Sequence, residues 1–272
     1  MNIYYSGVNQ RGFGTWPLRG DDAKNAVRAA VEVGYRAFDT AQMYENEAET
    51  GAALAESGLP RADLCITTKV KPDNYNQDRF IGSVDQSVRD LGGEPVDVLL
   101  LHWPTIGGDV VPSLELLQQA HDQGLARNIG ISNFTIAQMR TALSVLDAPI
   151  VANQVEYHPL IDQSNLRAAA AGLGIPLTAY CSIARGKIFE YRELAEIGRD
   201  YHKSPAQVAL RWILQRGIAI NTMSTKPENI RANFCVMDFT LSSVHLARID
   251  ELSKRVNFRL VDDVPWAPEW DQ

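Results

Sequence analysis

Cysteine is scarce. The 272-residue chain has three, Cys65, Cys181 and Cys235. They are odd in number, far apart and without metal-ligand spacing, which argues against both a disulfide framework and a thiolate metal site. Reduced thiols, and so a cytoplasmic setting, are the plain reading. Positive charge is also short: Lys+Arg 26 against Asp+Glu 33 leave a formal net charge of −7. Phosphate backbones demand a basic face, so neither nucleic acid nor an anionic membrane surface is an expected partner. An anionic small molecule stays within reach of a few local donors. No apolar run approaches the ~18 residues of a membrane span. The opening residues Met1 to Val8 carry neither the basic nor the apolar region of an export signal. Linker-like shifts and low-complexity runs are absent too, so the expectation is one domain over residues 1–272, acting as a monomer. With 45% hydrophobic residues the chain can bury a sizeable core.

What the chain does have is alternation. Short apolar runs recur near 35–39, 64–70, 96–101, 127–131, 150–155, 176–181, 218–222 and 235–239, and helical patterns separate most of them. The stretch from Asp21 to Val31 opens with acids in its first turn and stops before Gly34. Val84, Val88 and Leu91 share one helical face. Ser204-Pro205 reads as a cap followed by proline at the first helical position. Strands alternating with helices point to a parallel α/β protein, and the length suits a (β/α)8 TIM barrel. The alternative is an open doubly wound sheet, which normally shows a Gly-x-Gly-x-x-Gly turn after its first strand. Gly12-Phe13-Gly14-Thr15-Trp16 precedes the first helix and lacks the third glycine. Polar residues also end several different strands, and a barrel gathers all of them at one face. The barrel is the favoured fold.

Four of those strand-end residues form a chemical group. Asp39 ends the run Tyr35-Arg36-Ala37-Phe38, and Tyr44 follows in the next loop. Lys69 ends a Thr/Ile-rich run, and His102 follows Leu99-Leu100-Leu101. Each has an ordinary reading: loop acid or helix cap, half-buried aromatic, paired lysine, satisfied histidine. Together at one mouth they form a device for moving a proton to or from an oxygen. A free phenol, with a pKa near ~10, exchanges protons poorly at neutral pH. An ammonium about 4 Å away at an effective dielectric near 20 favours phenolate by roughly 4 kcal/mol before desolvation opposes it. Asp39 would keep Lys69 charged and aimed, Tyr44 would carry the proton, and His102 would orient the substrate oxygen.

These residues carry a resemblance to the aldo-keto reductases. Gly34-Tyr35-Arg36-Ala37-Phe38-Asp39-Thr40-Ala41 through Tyr44, Glu47 and Gly51 resembles the family's first signature. Leu100-Leu101-His102-Trp103-Pro104, Gly130-Ile131-Ser132-Asn133-Phe134 and Asn153-Gln154-Val155-Glu156-Tyr157-His158-Pro159 resemble further blocks, so the likeness spans nearly the whole chain. It implies a barrel binding NADPH, with use of NADH open, and reducing a small-molecule carbonyl, with no metal. By the same resemblance Asp39, Tyr44, Lys69 and His102 are the catalytic tetrad. Ser132, Asn133 and Gln154 would hold the cofactor's carboxamide, and Tyr180 would stack on its ring. Gly14, Thr15 and Trp16 would border the cofactor and substrate pocket, and Trp16, Trp103 and His102 would face the substrate.

The chain departs from that pattern in two places. Where many members carry Ile-Pro-Lys-Ser and then an arginine, both gripping the adenosine 2′-phosphate, this chain has Asn221-Thr222-Met223-Ser224 and Asn229. Ser224, Thr225, Lys226 and Arg231 are candidate replacements, and Asn233 matches an adenine-contacting asparagine. Tyr180-Cys181-Ser182-Ile183-Ala184-Arg185 replaces the usual Tyr-Ser-Pro-Leu-Gly. Ser182 and Arg185 are candidate cofactor contacts, Arg185 for a pyrophosphate or an anionic substrate. Short rim loops suit a small carbonyl, and the tail from Asn257 to Trp266 is expected over the pocket. Two other classes stay open: a barrel that binds the dinucleotide as a regulatory module without turnover, and a phosphate-binding isomerase or aldolase that needs no nicotinamide.

Overall fold

Eight strands pair in parallel in chain order and close on themselves: Arg11–Gly14 (β1), Ala37–Asp39 (β2), Cys65–Val70 (β3), Val98–Leu101 (β4), Ile129–Ser132 (β5), Ile150–Glu156 (β6), Leu177–Tyr180 (β7) and Ala219–Thr222 (β8). The ring is completed by β8 on β1, with Gly12 opposite Asn221. The architecture is a (β/α)8 barrel. It is a computed structural model that describes residues 5–105 and 107–271. Residues 1–4, part of the segment read above for an export signal, lie outside the described residues.

The apolar runs become strands because both of their faces are covered. In β4, Leu99 and Leu101 join the large core under the helices, while Val98 and Leu100 fill the barrel interior with Val151 and Ala152. Ten helices wrap the described barrel: Gly20–Val33 (α1), Glu47–Glu56 (α2), Phe80–Asp90 (α3), Val111–Asp122 (α4), Ile136–Val145 (α5), Ser164–Leu173 (α6), Arg192–Tyr201 (α7), Pro205–Gln215 (α8), Pro227–Phe234 (α9) and Ser243–Val256 (α10). Their ends follow local chemistry. Gly34 takes a left-handed φ of 118° and its N–H closes α1 on Ala30 and Val31. Ser204 and Gln207 form a reciprocal capping box at the start of α8.

Two strand expectations are corrected. Arg11–Gly14 is a strand although two of its four residues are glycine. A Cβ on Gly12 would stand 2.1 Å from Asn221 Oδ1, so the close approach of β8 demands glycine there. Residues 235–239 form no strand: Val236 is buried, but Cys235, Met237 and Asp238 are exposed. Closure of β8 on β1 leaves no free edge for them to join. The usable consequence of the fold is directional. In a parallel barrel every C-terminal strand end opens on one mouth, and Asp39, Lys69, His102, Ser132, Gln154 and Tyr180 all lie at or beside such ends.

Candidate active site

Lys69 sits near the end of β3 and is fully buried. Its ammonium uses all three of its hydrogens. It donates to Asp39 Oδ1 at 2.5 Å, to the Thr40 carbonyl at 2.9 Å and to the Tyr44 hydroxyl at 3.3 Å. The other carboxylate oxygen of Asp39 accepts from Gln154 Nε2 at 2.7 Å. A line of contacts therefore runs Gln154, Asp39, Lys69, Tyr44, drawn from β6, β2, β3 and the short helical turn Gln42–Tyr44. That turn is closed by Tyr44 N–H on the Ala41 carbonyl, and Glu45 leaves it with a left-handed φ of 50°. Because the phenol oxygen accepts from Lys69, its own proton is free for a partner in the cleft. The His102 ring meets the Tyr44 ring edge-on, with centroids 5.5 Å apart.

Burial works against each charge here. It pushes the Tyr44 phenol above its ordinary value, and the Lys69 charge and hydrogen bond pull it back only in part. The expected net acidification of the phenol is thus corrected: in this structure desolvation outweighs the ammonium. Lys69 shows the reverse balance. Burial disfavours its charge, but Asp39 and Tyr44 more than offset that and its pKa is raised. His102 is held well below the usual histidine range by burial and by Lys69, so it is a neutral imidazole at physiological pH. Its Nδ1 is buried without a partner among the described residues.

A second constellation adjoins the first. Asn133 adopts a left-handed φ of 64°, which asparagine tolerates better than most residues. Its Nδ2 donates to the His102 carbonyl at 3.0 Å and to Ser132 Oγ at 3.2 Å, and its Oδ1 accepts from the Tyr180 hydroxyl at 2.7 Å. Ser132 Oγ donates to the Gln154 carbonyl at 2.8 Å. The four residues hold one another in place at the ends of β5, β6 and β7.

Both constellations open on one cleft of about 390 Å³. Asp39, Tyr44, His102, Trp103, Gly14, Trp16, Ser132, Asn133, Gln154, Tyr180, Ser182 and Arg185 all line it. The Arg185 guanidinium lies 4.6 Å from the centroid of the Trp16 ring, joining the loops after β7 and β1. Lys69 stays behind Tyr44. Thr15 is buried, with its hydroxyl on Asn46 Oδ1 at 3.2 Å, and does not line the cleft. Ser224, Thr225, Lys226 and Asn229 lie beyond the cleft wall, after β8 and in the first turn of α9. Lys226 N–H bonds Ser224 Oγ, and Thr225, Lys226 and Asn229 are exposed. Asn233 is buried on α9.

Several lining residues had no place in the site read from sequence: Met43, Cys181, Ile183, Asn221 and Thr222 on the barrel side, and Val261, Val264 and Trp266 on the tail. Met43, Cys181 and Ile183 are chain neighbours of assigned residues, and Asn221 and Thr222 end β8 just before the assigned Ser224 segment. The tail residues come from the segment expected over the pocket, with Trp266 packing 6.4 Å from Trp103 between ring centroids. Among the described residues, no group of three His, Cys, Asp or Glu side chains is placed to hold a metal. No helix among them is long and apolar enough to cross a membrane.

Comparison with known proteins agrees with this geometry. Methylglyoxal reductase DkgB of Escherichia coli O157:H7 is 39% identical over 263 residues, covering 96% of this chain and 98% of that protein. A crystal structure provisionally assigned as a 2,5-diketo-D-gluconic acid reductase B superimposes with a TM-score of 0.94 at 42% identity, over 100% of this chain and 97% of the other. The Bombyx mori aldo-keto reductase AKR2E4, solved in complex with NADP, superimposes with a TM-score of 0.86 at 30% identity, over 96% and 95% of the two chains. Residues 7–254 match the profile described as Aldo/keto reductase family, and the chain belongs to that family.

Proposed function

We propose that the protein reduces small aldehydes or ketones, of the methylglyoxal or diketo-sugar-acid kind, to alcohols at the expense of NADPH. One observation carries the reading. The Tyr44 hydroxyl receives a hydrogen bond from a buried, carboxylate-held ammonium and at the same time faces the cleft. That is the arrangement a proton donor to a carbonyl oxygen requires.

The cofactor, when bound, supplies the hydride that the carbonyl carbon accepts. Its fit to these residues rests on the polar groups that line the cleft. Ser132, Asn133 and Gln154 present amide and hydroxyl groups beside the half-buried ring of Tyr180, a match for a planar carboxamide-bearing ring. Arg185 lines the cleft and is available for its phosphates, whereas the Ser182 hydroxyl gives its proton to the Ala179 and Asn221 carbonyls at 3.2 Å and would have to turn to reach them. Asn221 Nδ2, buried without a partner among the described residues, offers one more donor at the cleft. For the adenosine end we assign Ser224, Thr225, Lys226, Asn229 and Asn233. Met223 and Asn229 stand where two cations are usual, so the preference for NADPH over NADH is expected to be moderate.

The remaining steps belong to the protein. His102, neutral, hydrogen-bonds the carbonyl oxygen and turns it towards Tyr44. Trp16, Trp103 and Trp266 exclude water from the carbonyl side. Tyr44 gives its proton to the oxygen as negative charge develops there. Lys69 stabilises the phenolate left behind, and Asp39, steadied by Gln154, keeps Lys69 charged and in place. Burial raises the phenol in this structure, so the role of Lys69 is to limit that rise.

A fluorescence titration with NADPH and with NADH, followed by NADPH oxidation over a panel of aldehydes, tests the proposal. Saturable binding with turnover on small aldehydes supports it. Binding without oxidation favours the regulatory module, and no binding of either dinucleotide removes the proposal altogether.

A further inference from the structure

Glu156 is the last residue of β6 and is fully buried, yet the proposed chemistry does not use it. It stands two residues beyond Gln154 and opposite Tyr180 in the strand register. Its carboxylate is met by N–H groups. Oε1 accepts from Leu260 N at 2.7 Å, and Oε2 accepts from Val261 N at 2.9 Å. The His158 ring contacts Oε1 through Nε2 at 2.8 Å, and Leu160 N–H donates to His158 Nδ1 at 3.2 Å. An Nδ1 that accepts a backbone N–H carries no proton, so the His158 proton sits on Nε2 and points at Glu156.

Leu260 and Val261 belong to the tail that leaves α10 at Asn257. The tail is first drawn along the 158–162 segment by Phe258 N–H on the Leu160 carbonyl at 2.9 Å and by Asp162 N–H on Asn257 Oδ1 at 3.0 Å. Glu156 then takes the amides of Leu260 and Val261. Immediately afterwards Val261, Val264 and Trp266 form one wall of the cleft. A buried carboxylate that accepts backbone N–H bonds is costly to leave unmet, so it holds its donors firmly. Beyond Val261 the wall has lighter ties: Val264 N–H bonds the Asp262 carbonyl at 3.0 Å, and Trp266 packs on Trp103 while its Nε1 is buried without a partner among the described residues.

We infer that Glu156 is a positioning residue for the substrate. It clasps the tail to the strand that carries Gln154, and so fixes the wall formed by Val261, Val264 and Trp266 against the reacting carbonyl. The inference rests on the carbonyl-reductase reading above. It adds that substrate affinity, separately from cofactor affinity, is set by a carboxylate that touches neither ligand.

The test is Glu156→Gln in the full chain, read three ways. Hydrogen exchange at the Leu260 and Val261 amides is expected to quicken by about tenfold or more, as loss of a charged acceptor implies. KM for the aldehyde should rise by about tenfold while kcat stays within about threefold, the signature of lost binding rather than lost transition-state contact. NADPH affinity by fluorescence should stay within about twofold, because no cofactor contact is removed. Unchanged exchange at both amides would overturn the inference, and so would faster exchange with an unchanged KM. If Glu156→Gln does not fold, Leu260→Pro removes one of the two N–H donors, leaves the carboxylate and the cleft-lining side chains in place, and is read by exchange at the Val261 amide and by the same KM, kcat and NADPH criteria. The exchange measurement needs no turnover. A wild-type protein that oxidises no NADPH would therefore defeat the proposed function while the clasp is still judged on its own.

Discussion

Replacing Lys69 with methionine isolates the electrostatic core of the site. The side chain is fully buried, so the change removes a charge while nearly keeping the volume. Two losses follow. At the 3.3 Å separation from the Tyr44 hydroxyl, an effective dielectric near 20 gives an ammonium–phenolate attraction of about 5 kcal/mol, a ceiling before solvent and relaxation reduce it. Without it the phenol rises further, since burial already pushes it up and Lys69 is the main opposing influence. Among the described residues the Asp39 carboxylate then keeps only the Gln154 amide, and a buried pair broken on one side typically costs about 3–5 kcal/mol. At roughly 2–4 °C per kcal/mol for a chain of this size, the melting temperature should fall by about 10 °C. Steady-state NADPH oxidation should fall by about a hundredfold or more, as loss of general-acid function implies. A folded Lys69→Met protein with turnover within about tenfold of wild type and an unchanged melting temperature would refute this reasoning.

Three further outcomes follow from particular contacts. The unfolded chain takes up a proton at His102 near the ordinary histidine value of about 6.5, whereas the folded chain resists until well below it. Stability should therefore drop as pH falls below about 6.5, by up to about 1.4 kcal/mol per pH unit from this residue, and urea melts of His102→Gln should show a shallower drop. If the two slopes are equal, His102 is not the group responsible. Gly12→Ala drives a methyl group to 2.1 Å from Asn221 Oδ1. It should cost about 1–3 kcal/mol in a urea melt, relieved when Asn221→Ala is combined with it. Met223→Lys restores a cation after β8 and should raise the NADPH:NADH affinity ratio about tenfold, as one charge-assisted contact would. An unchanged ratio places the 2′-phosphate elsewhere.

The sequence exposed the parts of the fold whose local pattern agrees with their environment. Runs such as Val98–Leu101 are apolar at every position because both faces are covered, and the strand is legible from composition alone. Arg11–Gly14 was hidden because its glycines serve a neighbour, Asn221, that only closure of the barrel brings near. Cys235 to Phe239 misled in the opposite sense, since an apolar residue such as Val236 can be buried under a loop as readily as in a strand. The Asp39, Tyr44, Lys69 and His102 group was readable because each residue lies at the end of a strand or just after one, and strand ends share a mouth. The order of contacts was not readable. That Gln154 reaches Asp39, and that Glu156 reaches the tail, depends on pairings 115 and about 105 residues apart in the chain. A glutamate two positions after a buried glutamine on one strand face was the available signal. The balance at Tyr44 was unreadable for a related reason, because the depth of burial is a property of the whole mouth.

The central claim is that Tyr44 delivers the proton. Tyr44→Phe removes one oxygen and leaves the ring against His102, so it is the most direct measurement. NADPH affinity by fluorescence should stay within about twofold of wild type. Carbonyl-dependent NADPH oxidation should fall by about 10²–10⁴, the usual contribution of a general acid. A Tyr44→Phe protein that binds NADPH normally and still turns over within about tenfold of wild type would contradict the account.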